Sequence, residues 1–419
     1  MKDLKRFKLI LSFLPTSERL EVMTHQEDGG DTLTILLALA GSVEILECII
    51  QSVPASTLSN ILIIENKDGN TALHEAARNG HVKTVKCIVD SVPETDRFRL
   101  LCIQNKYGNT AINCAAYKGD VETVECMLVS VSASDAYKLL TIADVNGNTV
   151  VNHAAYYGYA NIVRCIASLV PSKNFYKLLT MQNKGGNTAL HSVATRGHPE
   201  TVNHMLKSLS PAGLYKLLLI QNGNGDTALH EAARYGHTSA IRIMLGCLPN
   251  VLVYKSLLMP NKSGNTALHE AAGKKGCAEM VRYIVDSLHT VDLLRLLMKQ
   301  NDFDETALHC AVNNSHRKIL ECIVSRVKAA DLYKLLAIQD KNGDTPLHCV
   351  AYSDYCDPLR SLLNSLSLQQ RLQLLNIKNF REGFTPVVLA KSRRNSKVIS
   401  CFEKILEQRE TRPAKIKLC

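Results

Sequence analysis

Gly69-Asn70-Thr71-Ala72-Leu73-His74-Glu75-Ala76-Ala77-Arg78-Asn79-Gly80-His81 decides how this chain folds, because the sequence writes it again as Gly225-Asp226-Thr227-Ala228-Leu229-His230-Glu231-Ala232-Ala233-Arg234-Tyr235-Gly236-His237. The threonine of that segment recurs at Thr32, Thr71, Thr110, Thr149, Thr188, Thr227, Thr266, Thr306, Thr345 and Thr385. Successive intervals are 39 residues six times, then 40, 39 and 40. So regular a period marks one supersecondary unit written ten times, each copy able to bury its apolar face only against its neighbours. The roughly three globular domains that 419 residues would suggest by length alone therefore do not apply.

One copy reads physically from left to right. Asp68-Gly69, Asn146-Gly147, Asn224-Gly225 and Asn342-Gly343 are tight-turn dipeptides, since glycine takes positive φ at no steric cost. The threonine that follows is a good N-cap, and Pro346 and Pro386 stand one residue later, where a missing N–H costs nothing. A first helix starts there. Pairs such as Ala76-Ala77, Ala115-Ala116 and Ala154-Ala155 let helices of adjacent copies approach closely, and Gly80, Gly119, Gly158, Gly197 and Gly236 stop the helix in the left-handed conformation. A second helix carries an apolar stripe such as Val85, Ile88, Val89 or Val281, Ile284, Val285.

This pattern resembles the ankyrin repeat, whose marker is a Thr-Pro-Leu-His-x-Ala-Ala segment. The resemblance implies an all-α ankyrin-repeat solenoid. Each copy here is about six residues longer than the usual 33. The extra length carries Tyr137-Lys138-Leu139-Leu140, Tyr176-Lys177-Leu178-Leu179, Tyr215-Lys216-Leu217-Leu218 and Tyr333-Lys334-Leu335-Leu336, which predict a short third helix of one or two turns packed into the core. Lys8, Leu9, Ile10 and Pro15 align with Lys86, Cys87, Ile88 and Pro93 two periods on, so residues 1–31 are expected to form a half-repeat cap, not the short signal peptide they could pass for. Residues 32–390 hold the ten copies, and residues 391–419 a basic capping helix and tail. The stopping glycine gives way to Ser315, Asp354 and Arg394 in the last three copies, as terminal copies allow.

Candidate chemistry dissolves into the same register. His74, His191, His230, His269, His309 and His348 share one position and His81, His198, His237 and His316 another. The resemblance implies that the first set bonds close to the threonine hydroxyl and ties turn to helix. His74-Glu75, His230-Glu231 and His269-Glu270 begin like a zinc-protease motif, yet the fifth position holds Arg78, Arg234 and Gly273 instead of histidine. Cys48, Cys87, Cys126, Cys165, Cys322 and Cys401 share a second-helix position, and Cys114, Cys310 and Cys349 a first-helix one; both sets read as small, reduced core residues. With no phosphate loop, nucleophile elbow or paired carboxylates, the reading is no enzyme, no cofactor and no metal.

Binding is what such a stack does. The irregular positions just before the stopping glycine are the candidate partner site: Arg78, Asn79, Tyr117, Lys118, Tyr156, Tyr157, Arg196, Arg234, Tyr235, Lys274 and Lys275. The resemblance places them on the concave side. Helix C-termini favour basic residues through the dipole, but that does not account for four tyrosines, and Tyr and Arg are the side chains enriched at interface hot spots. The expected function is a scaffold or adaptor for a protein or peptide partner. An alternative follows from charge. The net charge of +10 sits mostly at the two ends, with nine Lys or Arg against three Glu in residues 391–419, so the chain could instead be a tether to nucleic acid or an anionic membrane through its basic tail. No apolar run approaches the ~18 residues of a membrane span. A monomer in the cytoplasm, or alternatively the nucleus, fits best.

Overall fold

The structure, a computed structural model, describes residues 10, 13–353 and 362–407. The chain divides into two compact units, Met1–Gly213 and Leu214–Cys419. Among the described residues every regular element is a helix. The start of the expected cap, the stop position Asp354 and the tail beyond 407 lie outside the described residues.

A complete copy has three helices, seen in the first unit as Ala72–Asn79, Val82–Ser91 and Glu94–Leu101. The third helix predicted from the Tyr-Lys-Leu-Leu series is present at eight to nine residues per copy, for example Ala133–Thr141 and Ser172–Thr180. Its paired leucines are core: Leu139, Leu140, Leu178 and Leu179 are all fully buried. Thr16–Thr24 occupies the third-helix register one period upstream and packs on the first helix Leu33–Ala40, as a partial copy should. At the other end of the second unit, Ser396–Glu407 covers the last first helix, Pro386–Ser392, and buries Val398 and Phe402.

Within each unit the first helices stack on one another through their small residues. Ala72–Asn79 packs on Ala111–Lys118, with Ala76, Ala77, Ala115 and Ala116 completely buried. The turns stack as well. Lys106 N–H donates to Asp68 O at 3.0 Å, Val145 N–H to Tyr107 O at 3.0 Å and Lys184 N–H to Asn146 O at 2.9 Å, so each turn hangs on the one before it. That close approach needs glycine at the turn: Gly69 has φ 78°, and a Cβ there would lie 2.9 Å from the Lys106 nitrogen. Asp304 takes the same left-handed position at φ 58°, and Ser315 and Arg394 stand in for the stopping glycine at φ 57° and 56°. The fortieth residue of the copy starting at Thr266 falls after the shortened helix Ala267–Gly273, where Lys274, Lys275 and Gly276 bulge out before Ala278–Asp286.

The cysteine register differs from expectation. Cys322 and Cys349 are buried, but Cys48, Cys87, Cys126 and Cys165 are only half-buried. The stripe Val85, Ile88, Val89 is what faces the core, and Cys87 lies one residue off it, at the edge.

Candidate functional site

The turn-to-helix joint sets the geometry of the site. Thr71 N–H donates to His74 Nδ1 at 3.2 Å and the Thr71 hydroxyl lies 2.9 Å from the same nitrogen. Nδ1 is thus an acceptor without a proton, and Nε2–H is left to donate to Asn109 O of the next turn at 3.0 Å. One imidazole ties its own turn, its own helix and the following copy. The arrangement repeats in the second unit, where His230, His269, His309 and His348 donate to Asn265, Glu305, Asp344 and Phe384 carbonyls. The histidines therefore sit near the threonine hydroxyl, as the resemblance implied, and their reach into the next copy is an addition to that reading. Burial outweighs the opposing pull of the backbone carbonyls, and of Glu270 at His269 and Asp340 at His309, and holds His74, His269 and His309 down at about 4, so they are neutral.

Besides the terminal copies, which have Ile35 and Val388 there, two adjacent interior copies break this rule. The histidine position is Asn113 in the copy of Thr110 and Asn152 in the copy of Thr149. Asn152 Oδ1 accepts from Thr149 N–H at 3.1 Å and from its hydroxyl at 2.7 Å, so the cap survives. The shorter side chain does not reach the next turn. Asn113 Nδ2 and Asn152 Nδ2 are buried with no acceptor.

Two further departures lie beside them. The turn position that is Asn66, Asn105 and Asn183 in neighbouring copies is Asp144. Those asparagines donate across to the preceding turn, as Asn105 Nδ2 does to Asn70 Oδ1 at 2.8 Å; a carboxylate has no such donor. Asp144 instead accepts from Asn146 and Asn148 N–H, both at 2.8 Å, and its Oδ2 lies 3.2 Å from Nε2 of His153, off the line of a hydrogen bond. Burial lowers the His153 imidazole against the opposing pull of Asp144.

All four residues line one groove of about 710 Å³ in the first unit, together with Arg78, Tyr107, Tyr117, Tyr156, Tyr157 and Thr195. Its aromatic wall is continuous: Tyr117 and Tyr156 each meet Tyr157 edge-to-face with centroids 5.0 Å apart, and the Arg196 guanidinium lies 4.0 Å from the centre of the Tyr156 ring. Tyr107 and Val145, exposed at the turn tips, form the opposite rim.

The structure thus gathers Arg78, Tyr117, Tyr156 and Tyr157, with Arg196 beside them, at one place. It does not gather the rest. Asn79 donates to Glu75 O of its own helix, and Lys118 is exposed. In the second unit, Arg234 and Lys274 line a smaller cavity of about 340 Å³ with Glu270 and Glu305. Tyr235 is exposed and stacks on His237, while Lys275 is exposed on the bulge. Two expectations need correction. Tyr157 is half-buried, because it packs among three other tyrosine rings. Arg234 is committed inside its unit: it donates bidentately to Asp226 at 2.7 and 2.8 Å and to Glu270 at 3.1 and 3.2 Å. These bonds raise its affinity for the proton. Burial alone would push the Asp226 carboxyl up, but the bonds from Arg234 and Asn261 outweigh it and hold it below the ordinary range.

Comparison with known proteins fits this architecture. The sequence pattern described as ankyrin repeats (3 copies) matches residues 6–99, 34–136, 165–253, 212–293 and 287–371, which is most of the chain. The chain belongs to the ankyrin-repeat family. The ankyrin pattern stops at 136 and resumes at 165, passing over the copy that contributes Asp144, Asn152, His153, Tyr156 and Tyr157. Among solved structures, the ankyrin repeat domain of Bcl-3, described as a unique member of the IkappaB protein family, is similar at 22% identity over 60% of this chain and 98% of that one, with a TM-score of 0.46. No curated protein matches the chain in sequence. Ankyrin repeats are in general non-catalytic modules for protein–protein interaction, and among the described residues no helix is long and apolar enough to cross a membrane.

Asn113, Asp144, Asn152 and His153 were missed by inspection of the sequence, which attended to the positions before each stopping glycine. The signal was present: Asn113 and Asn152 replace, two periods running, the histidine of six other copies, and Asp144 replaces the asparagine of both neighbouring copies.

Proposed function

We propose that the protein is a non-enzymatic scaffold that holds a protein or peptide partner in the groove lined by Tyr117, Tyr156 and Tyr157. The observation that carries this reading is the coincidence of exposed aromatic surface with a deep groove in a rigid stack. Tyr117 is 59% exposed and Tyr156 39%, each directly after an alanine pair, Ala115-Ala116 and Ala154-Ala155, that is fully buried. Side chains already held in place lose little entropy on binding, which is what an anchor requires. The scaffold acts as a monomer, in the cytoplasm or the nucleus.

The test is capture of partners by the wild-type chain and by Tyr117→Ala/Tyr156→Ala at matched stability. Proteins retained by the first and lost by the second identify the groove's partner. A variant that melts normally and captures the same set with unchanged affinity refutes the reading, and a partner released steeply by salt moves attention to the basic ends.

A further inference from the structure

The groove is a place where the chain forgoes its own stability. Six copies place histidine at the cap, and in five of them it is joined to the following copy, whereas the two neighbouring copies that form the groove floor place asparagine there and leave two amide nitrogens without acceptors. A buried donor left unpaired is costly. Asn113 and Asn152 are 1% and 2% exposed, so water outside the groove does not reach them freely, and both line the cavity. An acceptor brought in from outside meets these donors by pressing into the groove floor and displacing its lining.

The rest of the lining says which kind. Arg78 is the cation of the lining and Asp144 the anion, so neither sign of ligand charge is favoured. A carboxylate would meet Asp144. An ammonium or guanidinium group would meet the two amide donors and Arg78. A carboxamide carries both halves of the complement: its carbonyl accepts from Asn113 or Asn152, and its NH2 donates to the Asp144 carboxylate. Aromatic walls on one side and the Tyr107 and Val145 rim on the other suit an extended strand of peptide lying between helix ends and turn tips.

Resting on the scaffold reading above, we infer that the groove recognises an extended peptide that inserts an Asn or Gln side chain between Asn113, Asn152 and Asp144.

A display library of random seven-residue peptides provides the probe, selected in parallel on the wild type, on Asn113→His/Asn152→His and on Asn113→Asp/Asn152→Asp. The histidine pair restores the cap used elsewhere and fills the groove floor. The aspartate pair is nearly isosteric, keeps the Oδ1 acceptor for the threonine and removes the free donors; because two buried carboxylates carry their own cost, its fold is checked by thermal melting before selection. Peptides from the wild type should be enriched in Asn or Gln at one register and lose about tenfold or more in affinity on both variants. The histidine pair should also melt about 2–4 °C higher for each kcal/mol recovered. On the aspartate pair, selection should turn to Lys or Arg. Failure to select any peptide, selection of acidic or basic residues by the wild type, or wild-type peptides that bind both variants equally would overturn the assignment. If such peptides still depend on Tyr117 and Tyr156, the scaffold reading stands while the carboxamide assignment falls.

Discussion

The capping histidines make the stack a proton-sensitive structure with a calculable response. In the folded chain His74, His269 and His309 hold at about 4, while an unfolded histidine titrates near 6.5. The folded state therefore binds fewer protons between those values. Their contribution to stability is complete above about pH 6.5, falls as pH drops toward 4, and stays level below. At pH ~5.25 an unfolded imidazole is about 95% protonated and a folded one about 5%, so each takes up about 0.9 proton on unfolding, or about 2.7 protons for the three. His230 and His348, also lowered by burial, add to that number. Asp226, whose carboxyl its clamp holds below the ordinary range, is ionised in both states at this pH and does not add to the uptake. The measurement is a pH-stat titration in weakly buffered urea, counting acid equivalents consumed as the chain unfolds at pH 5.25 and at pH 8. It requires no two-state assumption. At pH 8 the histidine uptake should vanish, and His74→Asn, which copies the chain's own solution at Asn113, should reduce the uptake at pH 5.25 by about 0.9. Uptake below one proton at pH 5.25 would mean that these imidazoles are not held neutral by burial, and the cap geometry would be wrong.

Three other outcomes follow from particular contacts. Gly69→Ala should cost about 1–3 kcal/mol, since it combines φ 78° with a Cβ 2.9 Å from the Lys106 nitrogen, and hydrogen exchange at the Lys106 amide should accelerate as the turn-to-turn bond opens. Leu190→Ala, at a fully buried stacking position, should cost about 2–5 kcal/mol by urea denaturation, against about 1 kcal/mol for Tyr156→Ala, whose ring is partly exposed; equal losses would make the tyrosine wall core and misplace the site. Arg234→Ala leaves the buried Asp226 carboxylate without its bidentate partner and should cost about 2 kcal/mol or more, with Asp226→Asn recovering part of it; a neutral Arg234→Ala would return this residue to the list of free anchors.

The repeat is legible because stacking demands one solution at every copy: a glycine where turns touch, a threonine and histidine where a turn becomes a helix, alanines where helices meet. Such constraints repeat every 39 residues and need no knowledge of the fold to be seen. The third helix was legible for the same reason, since its buried leucine pairs recur in step with the threonine. What the pattern hides is direction and partnership. Arg78 and Arg234 occupy the same register position, yet Arg78 stays 57% exposed, its closest carboxylate contact reaching 4.0 Å, while Arg234 meets Asp226 at a site where the earlier copy has Asn70. One turn residue thus turns a surface arginine into an internal clamp. The reverse change made the groove: Asn for His, Asp for Asn and His153 beside them remove bonds that other copies make, and the consequence is a cavity, which no single residue encodes. In a repeat protein the agreements between copies specify the stack, so the residues free to specify a partner are those at which a copy disagrees with its neighbours. Here three such disagreements, Asn113, Asp144 and Asn152, line one wall-to-wall space with the three tyrosines, in the copy that the ankyrin pattern passes over and the one before it.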